Sequence, residues 1–451
     1  MFTKFFSEAR QFFRIAIPIY GAQMSYGGIY MTDTIVAGRA GSHELAGVAL
    51  AASFSSPIFF SLSGIFFGLS PIVAHLNGAR KLQSIKIKMR ESLWITVAIG
   101  LILMALYGLS PLLLGLTSID RSITSISASY LGILAFAAIP MMWYTWLRCF
   151  SEGLTITKPV FVVAFTAMLL NIPLDIIFVN GYFGFEPMGG PGCALATLII
   201  YIYMAIAMTL IVFFKREYVS FNFFRKFRSP TYKTTSELIR LGLPIGIGIF
   251  IEVSMFSGIA ILLGPLGEVT LASHSIALSV ASFLFMLPLS LGLASATRVG
   301  NLLGAKRYQD ARYSVATALK LTTSVAVINM AVLIFFSSVI ISLFTSEVNV
   351  YSLALELVLL AAIFQIPDGI QVGILGSLRG YKDTYVPMLL LAFTYWVVAL
   401  PFGYFLTYHG FGSPMGASGM WYAMILGLVI FALLISFRIK LVMQKYLDQK
   451  N

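Results

Sequence analysis

The stretch FRIAIP at residues 13–18 returns in altered form as IRLGLP at residues 239–244. A second pair, LNGARK at 76–81 and LLGAKR at 302–307, has the same separation of 226 residues (239 − 13 and 302 − 76). Two later pairs, LRCFSE at 147–152 with LRGYKD at 378–383 and MGGPG at 188–192 with MGASG at 415–419, are 231 and 227 residues apart. Chance similarity between apolar helices is the alternative, but ordered polar blocks at matched spacing indicate an internal duplication.

The composition is that of a membrane protein. Of 451 residues, 59% are hydrophobic and only 11% are charged, whereas soluble domains carry about 25% charged residues. A helix that crosses a bilayer needs about 20 apolar residues. Twelve such stretches lie near residues 12–37, 46–76, 90–116, 126–148, 159–180, 191–214, 237–263, 269–297, 313–344, 352–377, 385–407 and 415–438.

Basic residues orient these spans. Nearly all of those near the span ends fall on one side of the twelve-span arrangement, and only Arg39 and Arg121 fall on the other. The positive-inside rule then places both termini in the cytoplasm. The net charge of +12 is explained by these loop anchors, so we expect no nucleic-acid partner. The basic side is formed by Lys4, Arg10, Arg80, Lys81, Lys86, Lys88, Lys215, Arg216, Arg225, Lys226, Arg228, Lys233, Arg298, Lys306, Arg307, Arg438, Lys440, Lys445 and Lys450.

The duplication and the span count together predict the fold. Because six spans is an even number, the two copies have the same orientation in the bilayer, as in transporters with parallel repeats. We therefore predict an all-α polytopic membrane protein with twelve transmembrane helices in two parallel-repeat six-helix lobes around a central cleft. The predicted domains are an N-lobe at 1–214, a basic cytoplasmic linker at 215–235 and a C-lobe at 236–451.

Four acidic residues lie deep within the predicted spans: Asp33, Asp175, Glu252 and Asp368. No lysine or arginine is expected at their depth. A charge inside a membrane is costly and usually marks the path of an ion, a proton or a substrate. An acid without a basic partner is relieved by a proton, a metal cation or a cationic ligand, and this pattern favours a cation-coupled transporter.

The first-lobe candidates share the outer half of one six-helix lobe. Asn171 and Asp175 are four residues apart, so they lie on one helix face, and Pro173 between them removes a backbone hydrogen bond. Thr197 falls two turns into the next span, and Asp33 lies at similar depth. Carboxylate, amide and hydroxyl oxygens suit a hard cation, and two close carboxylates also suit a proton. The structural alternative for Asn171 and Thr197 is that they only form hydrogen bonds between helices.

The second-lobe candidates are Glu252, near the midplane, and Asp368 in FQIPDGIQ, where proline and glycine flank the acid. This pattern predicts an interrupted helix, as found at transporter sites. Phe364, four residues before Asp368, could attract an organic cation through its ring, although simple packing explains it as well. In the matching cytoplasmic loops, we expect Glu152 to pair with Arg148 and Asp383 with Arg379.

The motifs MTDTIVAG (31–38), NIPLDIIFVNGYFG (171–184), GPGCALAT (190–197), IEVSMF (251–256) and DGIQVGILGSLRGYKD (368–383) occur in order along the chain. Together they resemble the multidrug and toxic compound extrusion (MATE) family, in its NorM branch. The resemblance implies a bacterial inner-membrane antiporter that exports cationic, amphipathic drugs and dyes in exchange for Na⁺ or H⁺, without another cofactor and as a monomer.

The resemblance also implies site residues. It places Asp33, Asn171, Asp175 and Thr197 in an N-lobe Na⁺/H⁺ site and Glu252 and Asp368 in a C-lobe Na⁺/H⁺ site, with Asp33, Glu252, Asp368 and Phe364 contacting substrate. Some NorM relatives carry asparagine where this chain has Asp175 and tyrosine where it has Phe364. These departures leave the coupling ion open.

Two other functions are alternatives to transport of cations. A flippase for a lipid-linked anionic precursor, from the same superfamily, would need basic side chains inside the cleft. A polytopic membrane enzyme would need a catalytic histidine or paired-aspartate motif, but the four histidines are scattered. No P-loop, HExxH or GxSxG motif occurs, and the short loops leave no room for an ATPase domain.

Overall fold

The computed structural model describes residues 2–115, 119–225 and 228–448. Lys226 and Lys450, two of the basic residues used for orientation, lie outside these ranges. In the described part the secondary structure is helical and contains no strand. The helices are α1 Phe2–Ala40, α2 Ser42–Phe67, α3 Leu69–Gly78, α4 Leu82–Gly108, α5 Ser110–Leu114, α6 Arg121–Gly153, α7 Lys158–Asn180, α8 Gly190–Phe214, α9 Arg216–Val219, α10 Tyr232–Leu263, α11 Glu268–Gly304, α12 Tyr308–Ser342, α13 Val348–Gly380, α14 Tyr385–Ala392, α15 Leu400–Tyr408 and α16 Gly416–Asp448.

Among the described residues, eleven helical segments are long and apolar enough to cross a membrane. They correspond to the second to twelfth predicted spans, with α2 and α3 forming one span and α14 and α15 another. The first predicted span lies in α1, which has ample length at 39 residues. Its polar side chains, among them Gln23, Ser25 and Asp33, make it less apolar than the others. Polar residues on a membrane helix are a mark of function.

Packing divides the chain into two compact units. The N-unit is Ile17–Gly246, and the C-unit is Met1–Ala16 together with Ile247–Asn451. These boundaries differ from the duplication-based domains because the first part of α1 belongs to the C-unit and the first part of α10 to the N-unit. In the C-unit, Arg298 of α11 holds Glu8 of α1 through two hydrogen bonds of 2.9 Å.

In the N-unit, α6 is central and contacts α2, α4 and α8. The first part of α10 packs against α2 through glycines on both helices. A Cβ at Gly242 would lie 2.1 Å from the carbonyl oxygen of Ile65, and one at Gly246 would lie 2.2 Å from that of Ser61. Both distances are shorter than any real contact, so only glycine lets the two backbones come this close. Small residues serve the same purpose at membrane helix interfaces generally.

The predicted linker is docked on α4. Glu91 is 1% exposed and accepts hydrogen bonds from the hydroxyls of Thr231 (2.7 Å) and Thr234. Arg228 reaches the other oxygen of the same carboxylate at 3.1 Å. Arg90 donates to the backbone carbonyl of Phe223 at 3.0 Å. A buried carboxylate needs such donors, and here the linker supplies them.

Glu91→Gln is expected to lower the unfolding temperature of the purified protein. Loss of the charge weakens the hydrogen bonds from Thr231 and Thr234 and the ion pair with Arg228. Glutamine also places an amide donor where the carboxylate has an acceptor, and we expect a cost of about 1–3 kcal/mol. Thermal unfolding in detergent measures this. Glu217→Gln is the matched control, because the Glu217–Lys215 ion pair is exposed and such pairs contribute about 0–1 kcal/mol. Equal unfolding temperatures for the Glu91 variant and unmodified protein would contradict the docked linker.

In the C-unit, α13 is central and contacts α11, α12 and α16. The chain continues through α14, a π-helical segment at Phe393–Ala399 and α15, which together form one span. A π-helical turn widens the helix locally and often occurs at functional sites. Here it lies in the span that carries Tyr395.

Candidate functional site

The four predicted residues of the first lobe come together around Asp33. One carboxylate oxygen of Asp33 lies 3.3 Å from the side-chain nitrogen of Asn171, which donates to it. The other accepts a hydrogen bond of 3.3 Å from the Thr197 hydroxyl. All four side chains are buried within the N-unit. Helices α1, α7 and α8 therefore converge on one polar cluster.

Asp175 completes the cluster and accepts no hydrogen bond from the described residues. Its carboxyl group interacts electrostatically with that of Asp33. Both oxygens of Asp175 and the side-chain oxygen of Asn171 are fully buried, and no donor from the described residues reaches them. An unsatisfied buried acceptor is expensive, and two facing acids repel unless something positive lies between them. These three oxygens without hydrogen-bond donors therefore indicate a site for a proton donor or a cation.

A proton or a small cation would satisfy this arrangement. A single proton shared by Asp33 and Asp175 lets one acid donate to the other. A hard cation such as Na⁺ would instead find carboxylate, amide and hydroxyl oxygens, the donors it prefers. The described residues contain no group of three or more His, Cys, Asp and Glu side chains placed to hold a metal. A cation here would therefore depend on the neutral oxygens of Asn171 and Thr197 beside the two acids.

Two further residues, absent from the sequence-based set, face the N-unit cluster. Tyr130 of α6 is buried and interacts electrostatically with Asp33 and Asp175. The thiol of Cys193 lies 3.6 Å from the backbone oxygen of Asp33 and donates to it. Neither residue has a sequence signal that separates it from ordinary packing.

The second-lobe acids lie near one another in the C-unit. Glu252 of α10 and Asp368 of α13 interact electrostatically. Gln371, one turn after Asp368, donates from its amide nitrogen to an Asp368 oxygen at 2.8 Å. The hydroxyl of Tyr395 donates to the amide oxygen of Gln371 at 3.5 Å. Asp368 is thus the end of a short hydrogen-bonded chain that begins in the π-helical segment.

The expectation that no lysine or arginine lies at the depth of the four acids stays a prediction. Arg379, in the last turn of α13, interacts electrostatically with Glu252. The expected pairing of Asp383 with Arg379 is wrong, because Asp383 binds Arg438 at 2.6 Å. The pairing of Arg148 with Glu152 is confirmed, at 2.7 Å. For Asp33, Asp175 and Asp368, the described residues offer no lysine or arginine partner.

The predicted helix interruption at Pro367 is also wrong. Helix α13 continues from Val348 to Gly380 through this proline. The nearby Gly369 serves close packing, since a Cβ there would lie 2.9 Å from the carbonyl oxygen of Thr322 in α12. Close packing of α12 at Gly369 accompanies this continuous helix, although a proline inside a helix removes a backbone hydrogen bond. The irregular backbone lies instead at Phe393–Ala399.

Phe364 is buried and packs edge-to-face on Trp421, with ring centroids 6.2 Å apart. This is the packing role that the sequence left open. Contact between Phe364 and a substrate stays a prediction.

Comparison with known proteins gives the family. The MatE family model matches residues 18–177 and, a second time, residues 244–405. The chain belongs to the MATE family. A probable multidrug resistance protein NorM of Bacillus anthracis is 33% identical over all of this chain and 99% of that protein. Multidrug resistance protein PmpM of Pseudomonas aeruginosa is 34% identical over 98% of this chain and 93% of that protein.

Solved MATE structures have the same fold. The eukaryotic MATE transporter AtDTX14 superposes with a TM-score of 0.87 at 22% identity, covering 99% of both chains. An outward-facing multidrug resistance MATE transporter gives 0.85 at 19% identity over 96% of both chains. The double match of the MATE model agrees with the duplication. This MATE chain is accordingly a multi-pass membrane transporter of the multidrug efflux type and is not an enzyme.

Fold alone does not decide what a MATE-like protein carries. A MOP superfamily transporter from Pyrococcus furiosus, described as having a binding pocket of reversed polarity that suggests a different function, has a TM-score of 0.86 at 17% identity. The match covers 97% of this chain and 96% of that one. The charge of the substrate therefore depends on the side chains of this MATE chain.

Proposed function

We propose that this MATE transporter exports cationic, amphipathic drugs and dyes in exchange for Na⁺ or H⁺. The observation that carries the proposal is the buried pair Asp33 and Asp175. Both carboxylate oxygens of Asp175 and the side-chain oxygen of Asn171 lack hydrogen-bond donors within the described part of the chain. Taking an unpaired charge out of water costs several kcal/mol. A mobile cation or proton supplies the missing positive charge.

The C-unit supports a cationic cargo in the same way. Glu252 and Asp368 bring two acidic side chains into one cluster. Two neighbouring acids are relieved by a proton or a cation, which suits a cationic ligand. A flippase for an anionic lipid-linked precursor would need the opposite balance.

Exchange requires that the two ligands favour different states. A coupling cation bound from outside must stabilise a conformation that binds drug poorly, and drug bound from inside must do the reverse. Alternating access, with the site open to one side of the membrane at a time, meets this requirement. We place the protein in the bacterial inner membrane as a monomer with both termini in the cytoplasm.

Transport by purified protein in liposomes tests the proposal. We expect accumulation of a fluorescent cation such as ethidium when an opposing Na⁺ gradient or an opposing pH gradient is imposed, and the two gradients are applied separately to identify the coupling ion. Protein-free liposomes and liposomes without a gradient are the controls. Absence of gradient-dependent accumulation under both conditions would contradict cation-coupled export.

A further inference from the structure

A membrane-facing tryptophan marks the depth at which the basic linker is docked. Trp94 of α4 is 48% exposed, and a stripe of exposed apolar side chains continues from it through Ala98, Leu101 and Ile102. This spacing keeps the side chains on one helix face, and on a membrane helix such a face meets lipid. Trp94 is the first residue of the stripe, and tryptophan at the end of an apolar stripe favours the level of the lipid headgroups.

A hydrogen bond holds the linker at this level. The indole nitrogen of Trp94 donates to the backbone carbonyl oxygen of Arg228 at 3.0 Å. One turn earlier on α4, the buried carboxylate of Glu91 binds the guanidinium of Arg228 at 3.1 Å and the hydroxyl of Thr231 at 2.7 Å. The part of the linker around Arg228 therefore lies beside Trp94 at the membrane surface.

The start of α10 gives the same depth. Exposed apolar side chains on α10 begin with Ile239 and continue with Leu243. Tyr232 is 89% exposed and Lys233 is also exposed, and both precede this apolar part of the helix. An aromatic and a basic residue just outside the apolar part of a membrane helix are typical of the headgroup region. Both α4 and α10 thus place residues 228–233 at the membrane surface.

This surface is strongly basic. Residues 86–94 and 228–240 contain six basic side chains and only two acids, Glu91 and Glu237. Both acids are engaged within the chain, since Glu91 binds Arg228 and Glu237 binds Lys88 at 2.5 Å. The side chain of Arg228 is still 51% exposed, so its guanidinium can meet a second anion. Basic side chains at a membrane surface attract anionic lipids.

We propose that Trp94, Arg228, Tyr232 and Lys233 form a binding site for an anionic phospholipid such as phosphatidylglycerol. The headgroup phosphate accepts hydrogen bonds from Arg228 and Lys233, and the acyl chains follow the apolar stripe that begins at Trp94. A zwitterionic lipid has the same phosphate, but its positive choline group meets the same cations, so the site favours the anionic lipid. The site lies within the N-unit and does not depend on the transported substrate.

Quenching of tryptophan fluorescence by brominated lipids tests the site. Trp94 and Trp396 are each 48% exposed, so Trp396→Phe protein reports on Trp94 and Trp94→Phe protein reports on Trp396. Each protein is reconstituted in phosphatidylcholine with increasing fractions of phosphatidylglycerol brominated near the top of its acyl chains, or with phosphatidylcholine brominated in the same way. The concentration dependence of quenching gives the relative affinity of the two lipids beside each tryptophan.

The two reporters should differ. Beside Trp94 we expect phosphatidylglycerol to bind at least about fivefold more strongly than phosphatidylcholine, because one basic residue at a membrane surface contributes about that factor. High salt should weaken this preference through screening. Beside Trp396 we expect no preference, because its exposed neighbours Phe393 and Val397 are apolar.

Charge variants of the Trp94 reporter identify the residues that bind the headgroup. Lys233→Gln should lower the preference for phosphatidylglycerol at least about twofold, and the combined Arg228→Gln and Lys233→Gln substitutions should abolish it. Arg307→Gln is the matched control, because Arg307 is an exposed arginine of the C-unit that pairs with Asp310. It should leave the preference beside Trp94 unchanged.

Equal affinity of the two lipids beside Trp94 would overturn the site. A preference of the same size beside Trp396 would overturn it as well, because the lipid would then respond to the charge of the whole protein. If the combined variant does not fold, Lys233→Gln decides alone, since Lys233 is exposed and is not one of the side chains that hold Glu91. An unchanged preference in Lys233→Gln protein would then contradict the proposal.

Discussion

Asp33→Asn is expected to reduce the initial rate of ethidium efflux from energised vesicles by about 100-fold or more. Removing one partner of a buried charge interaction costs about 3–5 kcal/mol, and each 1.4 kcal/mol is about a factor of ten. Asparagine has nearly the same shape but only one acceptor oxygen, so it can accept from Asn171 or from Thr197, which contact different oxygens of Asp33. Most of the expected loss therefore reflects the missing charge, because the volume of the side chain is preserved.

Asp120→Asn is the matched control for this experiment. Asp120 is exposed at the start of α6, where it accepts a hydrogen bond of 2.7 Å from the backbone nitrogen of Ser122. Asparagine caps helices equally well, so efflux should be unchanged. An unchanged rate for Asp33→Asn, at equal protein level in the membrane, would remove the N-unit acids from the coupling mechanism.

Asp368→Asn is expected to weaken binding of tetraphenylphosphonium to the purified protein by about 100-fold. Asparagine still accepts the hydrogen bond from Gln371, so the chain from Tyr395 to residue 368 is preserved. The variant retains Glu252 but loses the other acid of the cluster, and with it one of the two negative charges that a cationic ligand would meet. Equilibrium dialysis measures the change.

The control on the same unit is Asp310→Asn. Asp310 is partly exposed and pairs with Lys4 and Arg307. It is not part of the cluster formed by Glu252, Asp368, Gln371 and Tyr395. Its neutralisation should leave the dissociation constant unchanged. Similar affinities for Asp368→Asn and unmodified protein would exclude Asp368 as a substrate-binding residue.

Much of the fold could be predicted because the length of apolar stretches and the polar residues between them can be identified locally in the sequence. Twenty-residue apolar stretches predict spans, and the repeated loop blocks predict a duplication that the double MATE match confirms. The N-unit cluster was predictable because charges deep in spans are rare. Asn171 follows from its helix spacing to Asp175, and Thr197 from its similar depth in the next span.

What escaped prediction depends on contacts between helices. Gln371 and Tyr395 are ordinary residues until the π-helical segment and a facing helix bring them to Asp368. Sequence proximity predicts that Asp383 pairs with Arg379, but Asp383 binds Arg438, which lies 55 residues away along the chain. Pro367 and Gly369 looked like a hinge, yet α13 is continuous there and α12 packs closely against Gly369. Sequence spacing gives the residues on one helix face, but not which neighbour that face meets.

The central claim is that buried acids in this protein bind a mobile positive charge. Drug and coupling ion then compete for these acids. The most direct test is the dissociation constant of tetraphenylphosphonium for purified protein, measured as Na⁺ replaces K⁺ at constant ionic strength and, separately, as the pH is lowered. We expect one or both changes to raise the dissociation constant about tenfold, and the combined Asp33→Asn and Asp368→Asn substitutions to remove the dependence. A dissociation constant that is indifferent to Na⁺, to pH and to both substitutions would contradict the account.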